Sequence, residues 1–195
     1  MLPQRINLIA YSTLAVIICY IDRVNISVAI IPMQEHFGWS DSQVGFIFSS
    51  FYLGYMLTMA LGGYLSDKFG GKRVLGWGVV LWSIFTILTP LAAHNGFFAL
   101  FFIRILMGIG EGVTFPAWHS LYARWIPFNE RTRAIAFTNS GVSIGTIIGY
   151  IGTQMIILAM GWEWAFYIFG IVGLVWFIFW NRNVTSYPNE HKRIA

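Results

Sequence analysis

Four ionisable residues interrupt stretches of this chain that are otherwise long and apolar: Asp22 and Arg23 in the first stretch, Arg104 and Glu111 in the fourth. A charge at the centre of a bilayer costs about 2.5–3.5 kcal/mol even on lenient insertion scales, so such groups persist where they face a bundle interior or a watery cavity. Two acids and two arginines sum to zero. An arginine keeps its charge at any working pH, and its planar fork fits a carboxylate or phosphate. A desolvated carboxylate, by contrast, can be neutralised by a proton. The residue types therefore divide the chemistry: Arg23 and Arg104 for an anionic ligand, Asp22 and Glu111 for a coupling proton. Structural salt bridges that lock two helices would use the same residues, and both readings stay open at this stage.

Spacing narrows the geometry. Arg104 and Glu111 are seven residues apart, so they project from one helix face, separated by about 10 Å along the axis. Asp22 and Arg23 diverge by about 100°, so one can face a cavity while its neighbour touches another helix.

The elements that must position these groups are membrane helices. The chain is 57% hydrophobic, 18% aromatic and 10% charged, where a soluble domain carries about 25% charge. The apolar runs reach the length of about 20 residues needed to cross a hydrocarbon core, and they are continuous rather than alternating, which favours helices over a barrel. Six spans are predicted near 8–31, 43–64, 74–93, 97–120, 135–159 and 163–182. Turn signals at Pro32 and Gly38, Gly70-Gly71, His94-Asn95-Gly96, Pro127 to Glu130 and Gly161 separate them. The start could pass for a signal peptide. It lacks a small-x-small cleavage site, however, and reads as a retained first helix. A lone cysteine, Cys19, offers no internal disulfide and no Cys-based metal site.

Loop charge gives the orientation. Apart from Arg23 and Arg104, the lysines and arginines are Arg5, Lys68, Lys72, Arg73, Arg124, Arg131, Arg133, Arg182, Lys192 and Arg193. All fall at the N-terminus, in the second and fourth connections or in the tail, while the first, third and fifth connections hold none. Both termini are expected on the cytoplasmic side of a bacterial inner membrane. The net charge of +4 then reflects topology and not nucleic-acid binding.

The second connection reads Gly63-Tyr64-Leu65-Ser66-Asp67-Lys68-Phe69-Gly70-Gly71-Lys72-Arg73. Its glycines permit a tight turn and its charges can pair across the membrane face. As Gly-x-Leu-x-Asp-Lys-x-Gly-x-Lys-Arg it resembles the signature loop of the major facilitator superfamily. Tyr20 to Asn25, Arg104 to Glu111 and Gly161 to Gly170 resemble its anion:cation symporter family, which includes hexonate carriers and vesicular glutamate and sialic acid carriers. The resemblance implies an all-α membrane protein: six helices forming one half of a twelve-helix fold, built from two inverted three-helix repeats. It further implies that Asp22, Arg23, Arg104 and Glu111 bind substrate and carry protons. Tyr55 matches a substrate-contacting tyrosine, and Gly63, Asp67, Lys68, Gly70, Lys72 and Arg73 match the gating loop. Val142 departs from the pattern, standing where hexonate carriers have a glutamine, which puts a polyhydroxylated substrate in doubt.

On this reading residues 1–183 form the bundle and 184–195 begin a central cytoplasmic loop. The expected function is half of a secondary transporter that moves an organic anion with a proton, without a cofactor and not as an enzyme. Its partners are the anion, the proton, the lipid bilayer, and a C-terminal six-helix half or a second copy. A six-helix binding protein without transport activity and a phosphate or other anion carrier are the alternatives. Smaller expectations follow from local sequence. Gly141, Gly145 and Gly149 should pack against another helix. Gly108, Gly110, Gly112 and Pro116 give the fourth span room to bend. Arg131 and Arg133 are placed to meet Asp67, and the aromatics from Trp162 to Trp180 read as interface anchors facing lipid. In a Cys19-free background, an impermeant thiol reagent applied from outside should modify a cysteine at Asn95 and miss one at Asn189. The reverse labelling would overturn the orientation.

Overall fold

A computed structural model describes residues 2–186, so the tail residues Asn189, Lys192 and Arg193 invoked above lie outside the described residues. Seven helices are present among those described: α1 (Leu2–Phe37), α2 (Asp41–Phe69), α3 (Gly71–His94), α4 (Phe97–Gly112), α5 (Thr114–Trp125), α6 (Phe128–Met160) and α7 (Trp162–Asn183). Six segments are long and apolar enough to cross a membrane, because α4 and α5 together make the fourth span, Phe97–Trp125. The break follows from Pro116. A proline lacks an N–H and its ring clashes with the carbonyl four residues back, which here belongs to Gly112, and Val113 interrupts the helix there.

Helix ends obey local rules. The first helix runs through Pro32 and stops at Gly38, whose φ of 65° is open to glycine. The Trp39 N–H then returns to the Gln34 carbonyl at 3.2 Å. Ser40 opens α2 with a reciprocal capping box to Gln43. Only one residue, Gly161 at φ 101°, joins α6 to α7.

Lipid supplies no hydrophobic drive between helices, so packing depends on close backbone approach at small residues. Two seams dominate. Gly141, Gly145 and Gly149 of α6 lie on α1 at Thr13, Ile17 and Ile21. Gly54 of α2 faces the Ile105 carbonyl of α4, and Gly108 of α4 faces the Phe51 carbonyl of α2. A third contact joins α3 to α4, where a Cβ on Gly110 would stand 2.8 Å from the Trp82 nitrogen. The sixth span packs on α3 and α1. Exchanging the first three spans for the last three turns the first seam into the second and maps the α3–α7 contact onto itself, the arrangement of two inverted repeats.

Most of the sixth-span aromatics are core, contrary to the lipid-facing expectation. Trp162, Phe166, Phe169, Trp176 and Trp180 are buried, whereas Trp164 and Phe179 are exposed. Burial is possible because the indole N–H groups find partners: Trp176 donates to the Tyr11 carbonyl at 3.1 Å and Trp180 to the Lys72 carbonyl at 3.0 Å.

Gly108→Val should overpack the α2–α4 seam and cost about 1–3 kcal/mol or more. Gly63, inside α2 with nothing near its Cβ position, should gain up to about 1 kcal/mol as Gly63→Ala. Denaturant midpoints of the purified chain test both, and equal midpoints for the two variants would remove the seam from the account.

Candidate functional site

The glycine seams set the spacing at which α1, α2 and α4 present their charges. Arg23 reaches from α1 to α4: its Nη2 and Nε donate to Glu111 Oε2 at 2.9 and 3.1 Å. Glu111 is fully buried and the Arg23 side chain is 17% exposed. Aromatic rings surround the guanidinium, with Tyr55, Tyr20 and Phe51 centroids at 4.7, 4.8 and 5.2 Å, distances at which a ring face attracts a cation. Cys19 lies one turn before Arg23 and donates its thiol to the same Glu111 oxygen at 3.3 Å.

Asp22 turns the other way, as the 100° divergence requires. It is buried, and its Oδ2 accepts the Trp82 Nε1–H of α3 at 3.1 Å. Nearby, Asn25 is buried with neither amide atom hydrogen-bonded to the described protein.

Arg104 differs from all three. It is 2% exposed, and its Nη1 contacts the Met107 sulfur at 3.1 Å. The Phe51 ring centroid lies 5.0 Å from its guanidinium carbon. Its Nε has no hydrogen-bond partner, and the side chain makes no ion pair among the described residues. Leaving a buried cation without an anion is costly. The centre therefore holds one closed ion pair, one carboxylate held by an indole, and one buried guanidinium with no ion pair among the described residues.

The ion pair also marks a symmetry. The first span ends at Phe37 and the fourth at Trp125, and the interval between those residues equals the 88 that separates Arg23 from Glu111. They occupy equivalent places in the two repeats and meet where the repeats are related.

At the basic face, Asp67 binds Arg124 at 3.1 Å and accepts from Ser120 at 3.3 Å. This corrects the expected pairing with Arg131 and Arg133. Arg131 donates to the carbonyls of Ala123 and Ile126, because it lies beside the end of α5 and satisfies the carbonyls exposed there. Lys72 donates to the Asn181 carbonyl at 3.0 Å, and Lys68 lies 3.5 Å from the Tyr64 hydroxyl. Gly70 takes φ 86° between α2 and α3. His119 is held locally, with Nδ1 2.7 Å from the Phe115 carbonyl and its ring stacked on Trp118.

Sequence reading missed Cys19, Phe51, Trp82 and Met107. Helical spacing could have found Cys19 and Phe51, each four residues from a selected residue. No local pattern marks Trp82, which belongs to another span.

A family model described as the Major Facilitator Superfamily matches residues 12–194. The chain is 46% identical over 193 residues to a "Probable anion transporter 4, chloroplastic" of Oryza sativa subsp. japonica, covering 99% of this chain and 33% of that protein. Two Arabidopsis thaliana proteins are similar. An "Ascorbate transporter, chloroplastic" is 45% identical over 96% of this chain and 35% of its own length. A "Sodium-dependent phosphate transport protein 1, chloroplastic" is 44% identical over 96% and 37%. The chain thus spans about a third of the length of these relatives. In fold it is similar to a bacterial homolog of the human lysosomal transporter Spinster, at TM-score 0.81 and 24% identity, covering 97% of this chain and 45% of that one. A D-xylose-proton symporter gives TM-score 0.80 at 20% identity, with 93% and 48% covered. The chloroplastic plant relatives overturn the expectation of a bacterial inner membrane. A multi-pass membrane protein stands, and the lysine- and arginine-rich side is named below simply as the basic face.

Trp82→Phe keeps the ring but removes the donor to Asp22. It should cost about 1–3 kcal/mol, the usual penalty for stranding a buried polar group, and the loss should shrink in an Asp22→Leu background. Unfolding midpoints of the four chains measure this. Strict additivity would show that the contact carries no energy.

Proposed function

Because the chain belongs to the Major Facilitator Superfamily, we propose that it is the N-terminal six-helix part of a secondary active transporter that carries an organic anion together with protons. One observation carries the reading: Arg104, buried in α4 without an anionic partner among the described residues. A substrate carboxylate would supply the missing charge and accept a bidentate pair of hydrogen bonds. Relatives named for anions in general, for ascorbate and for phosphate support an anionic substrate. Their chloroplastic names make a chloroplast membrane the proposed location.

Charge balance supplies the coupling. The four charged groups of the centre sum to zero, so a bound monoanion leaves the centre at one negative charge and one proton restores neutrality. Arg23 is the natural second ligand, since it is partly exposed and already presented to Glu111. When the substrate anion takes Arg23, Glu111 loses its cation and receives the proton, as buried charge demands a compensating partner. Asp22, held by Trp82, is the second protonatable group and serves a dianionic substrate. Tyr55 fixes the plane of the Arg23 guanidinium. The Asp67–Arg124 contact closes the basic face, with Gly63, Lys68, Gly70, Lys72 and Arg73 forming the rest of the gating loop. A C-terminal six-helix half completes the cavity.

The sodium-dependent phosphate relative carries a second reading, in which inorganic phosphate moves with sodium. Proteoliposome uptake by the chain joined to its second half separates the two. One proton per monoanion is electroneutral, so a gradient of one pH unit, worth about 1.4 kcal/mol, should concentrate labelled ascorbate or a sugar acid about tenfold. Glu111→Gln should abolish accumulation while sparing counterflow, and Arg104→Lys or Arg23→Lys should weaken substrate binding at least tenfold. Undiminished proton-driven uptake in Glu111→Gln would remove that residue from coupling. Phosphate uptake that follows sodium alone would replace the organic-anion reading.

A further inference from the structure

Away from the charged centre, two adjoining cavities open at the basic end of the bundle. The first, of about 480 Å³, lies between the ends of α2 and α7 and the start of α3, and is lined by Lys68, Lys72 and Arg73. The second, of about 440 Å³, is almost wholly apolar and runs toward the middle of the span between α2 and α3, with Leu65, Val74 and Leu81 on its walls and Ile109 on its floor. Phe69, Arg73 and Trp77 line both. The pair therefore forms one groove with a cationic end at the membrane face and an apolar end in the hydrocarbon.

Both acids of the described basic face are engaged elsewhere, Asp67 by Arg124 and Glu130 by Arg5. Lys68 and Arg73 make no ion pair among the described residues, and Lys68 rests on the Tyr64 and Phe69 rings. The N-terminus of α3, which no side chain caps, adds its positive dipole at the same place. Phe69 and Trp77 are more than half exposed, and aromatic residues are enriched where membrane proteins meet lipid headgroups.

We propose that this groove holds one anionic phospholipid, its headgroup phosphate bound by Lys68, Lys72 and Arg73 and one acyl chain lying in the apolar cleft beside Trp77. Basic pockets between transmembrane helices suit such headgroups, and the attached cleft distinguishes a lipid from a soluble phosphate. The bound lipid bridges the end of α2 to α3 and α7 around the Gly70 turn.

Native mass spectrometry of the detergent-purified chain tests the assignment with three probes: phosphatidylglycerol, phosphatidylcholine with the same acyl chains, and glycerol phosphate. One phosphatidylglycerol should be retained per chain, at least tenfold in preference to phosphatidylcholine. The Lys68→Gln, Arg73→Gln double variant should lose that preference, and Arg73→Lys should keep most of it. Leu81→Trp, which fills the cleft and leaves the charges alone, should weaken phosphatidylglycerol at least fivefold without changing glycerol phosphate binding. Circular dichroism confirms equal helicity across the set. Equal retention of both lipids, or unchanged phosphatidylglycerol retention in both the double variant and Leu81→Trp, overturns the proposal. Glycerol phosphate that binds as tightly as phosphatidylglycerol makes the groove a soluble-anion site. A marked rise in lipid binding on removing residues 187–195 assigns it to the chain's own tail.

Discussion

The contact between Arg23 and Glu111 is the constraint around which the bundle is arranged. Each side chain alone would place a full charge in a hydrocarbon slab, where the cost exceeds what helix packing returns. Together they need α1 and α4 at one depth, with the right faces turned inward. Cys19, one turn from Arg23, adds a thiol to the same carboxylate oxygen, and three rings enclose the guanidinium. Asp22 is consequently turned away from the pair, and Trp82 of α3 receives it.

Glycine makes that geometry reachable. With Gly54 and Gly108 at the α2–α4 seam, the backbones approach until Phe51 and Tyr55 can cover the arginines. Larger residues there would separate the helices, and the rings would no longer reach the guanidinium groups. The fourth span uses its glycines twice: they admit the neighbouring backbones, and with Pro116 they let the helix break at Val113, just past the buried acid. The segment beyond the break carries Ser120 and Arg124 to Asp67, so the charged centre and the basic face are joined by one interrupted helix.

Much of this was legible in the sequence because it depends on local properties. Span length follows from the transfer free energy of apolar side chains, and the one-sided lysines and arginines mark a single membrane face. The Gly38 and Gly161 turns and the bend before Pro116 follow from backbone chemistry. The divergence of Asp22 from Arg23 follows from helical pitch. Pairing between elements was not legible. Arg124 takes Asp67 ahead of Arg131 and Arg133 because α5 ends beside α2, a fact of inter-helix register. Trp82 has no local mark that directs it to Asp22. The sixth-span aromatics look interfacial from composition, and only tertiary packing supplies the carbonyls of Tyr11 and Lys72 that let two of the indoles be buried.

Arg23 and Glu111 occupy equivalent places in the two halves of an inverted pair and face each other. That location has a historical consequence. A chain made by joining two identical three-helix units would bring like residues together there, either two guanidinium groups or two carboxylates, and both arrangements are repulsive. An arginine facing a glutamate at this point can arise only after the copies have diverged. This position is therefore one that the two repeats cannot fill with the same residue type, even while their backbones correspond.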